Sequence, residues 1–128
     1  MAQVIRRYRA DRSRLYLTGI SMGGMGVWLL AKETPGFFAA AVPVAGWNNP
    51  EWAPDLAHTP IWVFHGAKDD IVPLAASEKM VQAMRDAGGD PRFTVLPDMG
   101  HGIGPTVWAR KDLYEWMLQY RAAANPRR

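Results

Sequence analysis

Serine, aspartate and histidine occur along this chain in an order that suits acyl transfer. Ser21 lies in the pentapeptide G-I-S-M-G at residues 19–23, Asp69 and Asp70 are adjacent, and His101 lies in a glycine-rich segment. A serine hydroxyl is a weak nucleophile near neutral pH, so it requires a base, and the base requires a third group that fixes its tautomer. Ser21 is therefore the predicted nucleophile, His101 the predicted base, and one of the two aspartates the orienting acid.

The pentapeptide follows the pattern G-x-S-x-G and stands between a predicted strand and a predicted helix, which is the setting that this motif requires. A sharp turn forces Ser21 into a strained backbone conformation, and we expect a Cβ atom at Gly19 or Gly23 to collide with neighbouring chain. The N–H of Met22, at the start of the helix, is expected to stabilise an acyl oxyanion. The alternative stays open that Ser21 caps the helix and the glycines only permit close packing.

The aspartates and His101 both follow predicted strands. The carboxyl ends of parallel strands meet at one edge of a sheet, where catalytic groups collect, and the order serine, acid, histidine is the one found with this kind of turn. His65 ends a strand and is expected to be a structural residue that packs or hydrogen-bonds under the aspartate loop, because a second base is not needed. Asp98 is expected to form a turn.

Hydrophobic patterning predicts the elements that must position these groups. Runs of apolar and β-branched residues predict strands at residues 15–18, 38–44, 61–64 and 93–96. Apolar residues at helical spacing predict helices at residues 25–31, 74–87 and 106–120. The alternation predicts an α/β fold with a mostly parallel sheet of about four strands and helices on both faces.

Capping and turn residues mark the ends of these elements. Gly88 and Gly89 are predicted to end the second helix, and Thr106 is predicted to cap the start of the last one. Residues 47–54 are rich in turn formers and predict a loop or short helix. Apolar residues among the first eight predict the end of a short N-terminal helix.

The composition indicates one globular domain spanning residues 1–128. The chain is 48% hydrophobic, as a packed core requires, and domains typically contain about 50 to 250 residues. It contains no cysteine, which excludes disulfides and thiolate zinc sites. No apolar run reaches the ~20 residues of a membrane helix and no export signal is visible, so we expect no membrane partner and, by default, a cytoplasmic location.

The net charge of +3 comes from arginines near the two ends of the chain, whereas the body between them is acidic. A nucleic-acid groove would need a basic surface with aromatic side chains that stack on bases, and no such motif is present. We therefore expect no nucleic-acid partner. A basic-tailed binding module is an alternative that rests only on the terminal arginines.

Several of these segments resemble the C-terminal half of an α/β-hydrolase, in the esterase branch described as predicted peptidases, polyhydroxybutyrate-depolymerase-like or feruloyl-esterase-like enzymes. Residues 11–24, D-R-S-R-L-Y-L-T-G-I-S-M-G-G, are similar to the segment that enters that family's nucleophile turn, and residues 62–66, W-V-F-H-G, to its acid-bearing strand. Fitting the family pattern H-G-x-x-D-x-x-V-P to this chain assigns the acid to Asp69 rather than Asp70. The Gly-His pair that ends at His101 is similar to the family's general base.

The resemblance implies a serine esterase that cleaves small carboxylic esters through an acyl-enzyme, with Ser21, Asp69 and His101 as its triad. It implies neither a metal nor an organic cofactor. Trp47, Trp52 and Trp108 either wall a pocket for an aromatic or acyl group or only cover the core. A competing interpretation is a catalytically impaired fragment, or a non-catalytic interaction domain, that retains the nucleophile turn.

The chain departs from the family before the nucleophile turn. In the family about four strands and a helix precede that turn, and the loop after the third strand donates the second oxyanion N–H; here 18 residues precede Gly19. The strand at residues 15–18 is therefore expected to lie at an uncovered edge, which soluble proteins avoid. We expect a homodimer that covers it. A fragment of a longer protein and a rearranged sheet are the alternatives.

Overall fold

A parallel sheet of four strands lies at the centre of this computed structural model, which describes residues 11–122 of the chain. The strands are β1 (Tyr16–Ile20), β2 (Ala40–Val44), β3 (Trp62–Gly66) and β4 (Arg92–Leu96). Their spatial order is β1-β2-β3-β4 and each neighbouring pair is parallel. The four predicted strands are confirmed with shifts of a few residues, whereas the predicted N-terminal helix lies outside the described residues.

The central strands are buried throughout and the outer ones are not. Every residue of β2 and β3 is buried, whereas β1 and β4 are mostly half-buried. Continuous apolar runs form the central strands because both of their faces are covered by helices. Since all four strands run in the same direction, the segments that follow β1, β3 and β4 emerge at one edge of the sheet.

Helices cover both faces of this sheet, which confirms the predicted α/β architecture. They are α1 (Met22–Glu33), α2 (Ala53–Leu56), α3 (Leu74–Asp86), α4 (Gly104–Trp108) and α5 (Lys111–Met117). On one face α1, α2 and α3 pack around a buried cluster that includes Trp28, Leu56 and Met80. On the other face α4 and α5 pack on a cluster that includes Trp62, Phe64 and Trp116.

Two of the connections between elements have the structure that their turn-forming residues predict. Helix α3 ends before Gly88, whose φ of +89° is the left-handed conformation expected of a glycine stop. The segment predicted as a loop or short helix contains a short 3-10 helix, Pro50–Trp52, followed by α2.

None of the helices within residues 11–122 has the length and hydropathy that a membrane span requires.

The prediction of one continuous helix at residues 106–120, capped by Thr106, is wrong. Thr106 lies inside α4, and the chain becomes extended at Arg110, with a ψ of 122°, before α5 begins. The Arg110 guanidinium donates two hydrogen bonds, of 2.9 and 2.8 Å, to the carboxylate of Asp112. The Tyr114 hydroxyl donates to the Trp108 carbonyl at 2.6 Å. The Tyr114 hydroxyl thus satisfies a backbone carbonyl that the break leaves without a helical donor, whereas the Arg110–Asp112 pair joins two side chains across the break.

Candidate active site

The pentapeptide forms a strained turn between β1 and α1. Ser21 has a φ of 58° and a ψ of −116°, a conformation that costs a residue with a side chain about 1–3 kcal/mol. Its N–H donates to the Val44 carbonyl at 2.9 Å, and its carbonyl accepts from the Met25 N–H at 3.0 Å. The backbone strain predicted for Ser21 is therefore present, and hydrogen bonds on both sides hold it.

The glycines around Ser21 allow the helix to approach the sheet closely. A Cβ atom built at Gly19 would stand 2.6 Å from the Gly23 carbonyl oxygen, so the predicted collision is found there. The expected collision at Gly23 itself is wrong, because a Cβ there meets no described atom within 4 Å. A side chain at Gly19 would strike the backbone of Gly23, whereas a side chain at Gly23 would not strike Gly19. Of these two positions, close packing therefore excludes a side chain at Gly19 only. A further close contact joins Gly24 to Gly46, where a Cβ on either glycine would lie within 2.8 Å of backbone.

Ser21, His101 and Asp69 form a continuous hydrogen-bonded chain. The distance from Ser21 Oγ to His101 Nε2 is 2.9 Å, and that from His101 Nδ1 to Asp69 Oδ2 is 2.7 Å. The Ser21 side chain makes no capping hydrogen bond to α1. Because an ionised carboxylate only accepts, Nδ1 of His101 carries the hydrogen and Nε2 accepts from the serine hydroxyl. This is the arrangement in which an imidazole can remove the proton of a nucleophile.

The turn after β3 holds the Asp69 carboxylate. Its side chain is fully buried, and Oδ1 accepts from the N–H groups of Ile71 at 2.9 Å and Val72 at 2.8 Å. Burial by itself would raise the pKa of Asp69, but the hydrogen bonds from His101 and from these two N–H groups together lower the pKa below its ordinary value. The neighbouring Asp70 is exposed. The structure therefore brings Asp69, and not Asp70, to His101.

His65 and Ser77 form a polar pair under this turn. The mechanism of a triad requires neither residue. His65 is completely buried; its Nδ1 is 2.7 Å from Ser77 Oγ and its Nε2 is 2.7 Å from the Val72 carbonyl oxygen. The expected hydrogen bonding beneath the loop is thus present. Sequence reasoning missed Ser77. Its only signal is its place on the buried face of α3, at helical spacing from Val81.

The three tryptophans named as pocket candidates lie in different surroundings. Trp47 is 45% exposed and lines a pocket with Pro50, Pro73 and Lys79, among others. Trp52 packs against the core cluster on the α1 side. The Trp108 indole N–H donates to Thr18 Oγ1 at 3.0 Å, so this ring covers β1. Of the three tryptophans, Trp47 alone lines this pocket.

Met22 occupies the first position of α1, directly after Ser21. The first N–H groups of a helix have no acceptor within it, so this N–H and the positive end of the helix dipole are available to an anion beside Ser21. The Met22 side chain is 81% exposed. In the part of the chain that the structure describes, no cluster of three or more histidine and carboxylate side chains is arranged to bind a metal ion.

One family model and several known proteins match this chain. A family model described as the dienelactone hydrolase family matches residues 2–124. The protein of Escherichia coli (strain K12) named "Putative carboxymethylenebutenolidase" is 30% identical over an alignment of 135 positions, gaps included, and the match covers 89% of this chain and 49% of that protein. Esterase YpfH of the same organism is 32% identical over 89 residues, which cover 68% of this chain and 38% of that protein.

Solved structures of esterases share the fold of this chain. The crystal structure of a thermostable esterase superimposes with a TM-score of 0.79 and 29% identity, and the match covers 94% of this chain and 35% of that one. The crystal structure of esterase PE8 gives a TM-score of 0.75 and 25% identity, with 92% of this chain and 55% of that one covered. These matches confirm the resemblance to an α/β-hydrolase esterase. The chain spans about half the length of the first curated relatives that it matches.

Proposed function

Since this chain belongs to the dienelactone hydrolase family, we propose that it is a serine hydrolase that cleaves small carboxylic esters through an acyl-enzyme intermediate. The observation that carries the proposal is the hydrogen-bonded chain from Ser21 Oγ through His101 to the buried carboxylate of Asp69. These are the three roles that acyl transfer by a serine requires: a nucleophile, a base, and a group that orients the base.

In the first half of the reaction, Ser21 Oγ attacks the ester carbonyl carbon while Nε2 of His101 takes the hydroxyl proton. The carbonyl electron pair moves onto oxygen, and the Met22 N–H donates to this oxyanion at the start of α1. The electron pair then returns, the bond to the alcohol oxygen breaks, and His101 gives its proton to the departing alkoxide. The alcohol leaves and the acyl group remains on Ser21.

In the second half, water takes the place of the alcohol. His101 removes a proton from the water as its oxygen attacks the acyl carbon, and the bond to Ser21 Oγ breaks with return of that proton to the serine. The carboxylic acid leaves and the hydroxyl is regenerated. Asp69, whose pKa is lowered, stays ionised through both halves and stabilises the imidazolium that forms twice.

Two considerations favour esters over amides. An alkoxide is a better leaving group than an amide anion, so an ester demands less of the oxyanion donor that the Met22 N–H supplies. Matched proteins that are described as esterases point in the same direction. We further propose that the pocket beside Trp47 receives an apolar part of the ester.

Labelling with a fluorophosphonate, followed by mass spectrometry of peptides, tests the proposal. An activated serine reacts covalently with this reagent, so we expect one adduct, on Ser21, and none in Ser21→Ala. The matched control is Ser13→Ala, which removes a hydroxyl far from the site and should leave both labelling and ester hydrolysis intact. Ser21→Ala should lower kcat for a short p-nitrophenyl ester by about 10⁴-fold or more. A folded protein that remains unlabelled, or that is labelled elsewhere, contradicts the proposal.

A further inference from the structure

The hydrogen bonds of His65 define its tautomer. The Val72 carbonyl only accepts, so Nε2 of His65, at 2.7 Å, must carry a hydrogen and donate it. A neutral ring then accepts at Nδ1, and the partner at 2.7 Å is the Ser77 hydroxyl, which donates. This assignment satisfies both ring nitrogens with no charge in a fully buried position, as burial requires.

Val72 connects His65 to the Asp69 carboxylate. Its N–H donates to Asp69 Oδ1 at 2.8 Å, while its carbonyl accepts from His65 Nε2. Val72 thus accepts a hydrogen bond from His65, which belongs to β3, and donates one to the Asp69 carboxylate. Because Oδ1 is occupied by two backbone donors, only Oδ2 is left to face His101.

His65 also acts on Asp69 through space. Its Nε2 is 3.4 Å from Asp69 Oδ2, too long for a strong hydrogen bond when that hydrogen is already donated to Val72. The partial positive charge of this N–H group nevertheless lies close to the oxygen that binds His101 Nδ1 at 2.7 Å. In a buried site such a dipole favours the ionised carboxylate over the neutral acid.

We propose that His65 is a positioning residue, which holds the Asp69 turn through Val72 so that Oδ2 faces His101. Ser77 extends this support to α3 by donating to the other ring nitrogen. The inference rests on the proposed function, in which Asp69 orients the base. Its chemical consequence is that His65 sets the strength of the Asp69 to His101 contact without touching the substrate.

Two substitutions of His65 separate positioning from simple packing. In His65→Gln the side-chain amide N–H reaches the place of Nε2 and can still donate to the Val72 carbonyl. In His65→Asn the shorter amide reaches only the place of Nδ1, so the Val72 carbonyl loses its donor. The matched control is His58→Asn, the same change at an exposed histidine. Thermal unfolding and circular dichroism show whether each variant is folded.

We expect His65→Asn to lower kcat by roughly ten- to a hundredfold, as small displacements of catalytic groups do, with little change in KM. The acid limb of its kcat/KM profile should move to lower pH, because the imidazolium of His101 loses part of its carboxylate partner. His65→Gln should retain most of kcat and the position of that limb. Equal kcat values and an unmoved acid limb in both variants, whatever their melting temperatures, would show that His65 only packs.

Nitrogen-15 NMR of the imidazole rings provides a second measurement that needs no substrate. The proposal requires a hydrogen on Nε2 of His65 in the wild-type protein, and a ring whose hydrogen lies on Nδ1 alone overturns it even if His65→Asn does not fold. It also requires the His101 Nδ1–H resonance to change in His65→Asn and to be restored toward wild type in His65→Gln. If the wild-type protein hydrolyses no ester, the proposed function fails, while these resonances still decide the positioning role.

Discussion

Replacement of Asp69 by asparagine changes one atom at the centre of the hydrogen-bonded chain. In Asp69→Asn the amide oxygen can keep the bonds that Oδ1 accepts from the N–H groups of Ile71 and Val72. The amide NH₂ then takes the place of Oδ2, 2.7 Å from Nδ1 of His101. Two donors would face each other at that distance, so the imidazole must move its hydrogen to Nε2 and accept at Nδ1.

The expected loss of activity follows from this change of tautomer. With the hydrogen on Nε2, His101 donates to Ser21 Oγ and can no longer accept its proton. Removal of the correct tautomer in a Ser-His-Asp triad costs about 10⁴ in kcat, which corresponds to about 5.4 kcal/mol of transition-state stabilisation. The free energy of unfolding should fall by less, about 1.5–3 kcal/mol, the typical contribution of a hydrogen bond to a charged group.

Asp70→Asn is the matched control, since it makes the same chemical change one residue away on an exposed side chain. Its kcat/KM should stay within a factor of about two of wild type, as exposed substitutions usually do. The assay is the initial rate of p-nitrophenyl acetate hydrolysis by proteins whose folding is verified by circular dichroism. A folded Asp69→Asn variant within tenfold of wild type, or an equal loss in Asp70→Asn, would refute the role of Asp69.

Three other outcomes are expected. Ester hydrolysis should rise from acidic to neutral pH, because only a neutral His101 accepts a proton from Ser21; a flat profile from pH 5 to 8 contradicts a histidine base. The lowered pKa values of Asp69 and Asp112 add stability that is present above the ordinary aspartate pKa of about 4 and is lost as the pH falls through the lowered values. The free energy of unfolding in urea should therefore decline as the solution is acidified below a pH of about 4, and Asp112→Asn should make that decline smaller. We also propose that β1, which pairs only with β2 within residues 11–122, pairs antiparallel with β1 of a second copy. Tyr16→Pro removes an N–H that this edge presents and should convert a dimer, measured by light scattering, into a monomer; a stable, active wild-type monomer contradicts the proposal.

The sheet, its order of elements and the nucleophile turn were predictable because their signals are local. The buried strands β2 and β3 are continuous apolar runs, and the residues from Gly19 to Gly23 place a serine in a turn that few other sequences accommodate. The glycine stop after α3 is equally local, because a positive φ at Gly88 is a property of one residue. The family pattern then selected Asp69 over Asp70 by counting residues.

Other features depended on side-chain contacts and on open space that the pattern of apolar residues does not record. The break at Arg110 is invisible to periodicity, because apolar residues continue at helical spacing across it. The Tyr114 hydroxyl supplies the donor that the Trp108 carbonyl would otherwise lack. The open space beside Gly23 was missed because a collision depends on what lies beyond the turn.

The amino-acid sequence by itself determined which chemical groups this protein possesses and the edge of the sheet at which they emerge. Strand direction is enough for that, since parallel strands bring the residues that follow them to the same side. Only the tertiary structure decided the distances: 2.9 Å from Ser21 to His101, 2.7 Å from His101 to Asp69, and 2.7 Å from His65 to Ser77. Hydrogen bonds of this length depend on ångström-scale placement of residues that are up to 80 positions apart, and only the packing of helices on both faces of the sheet supplies it.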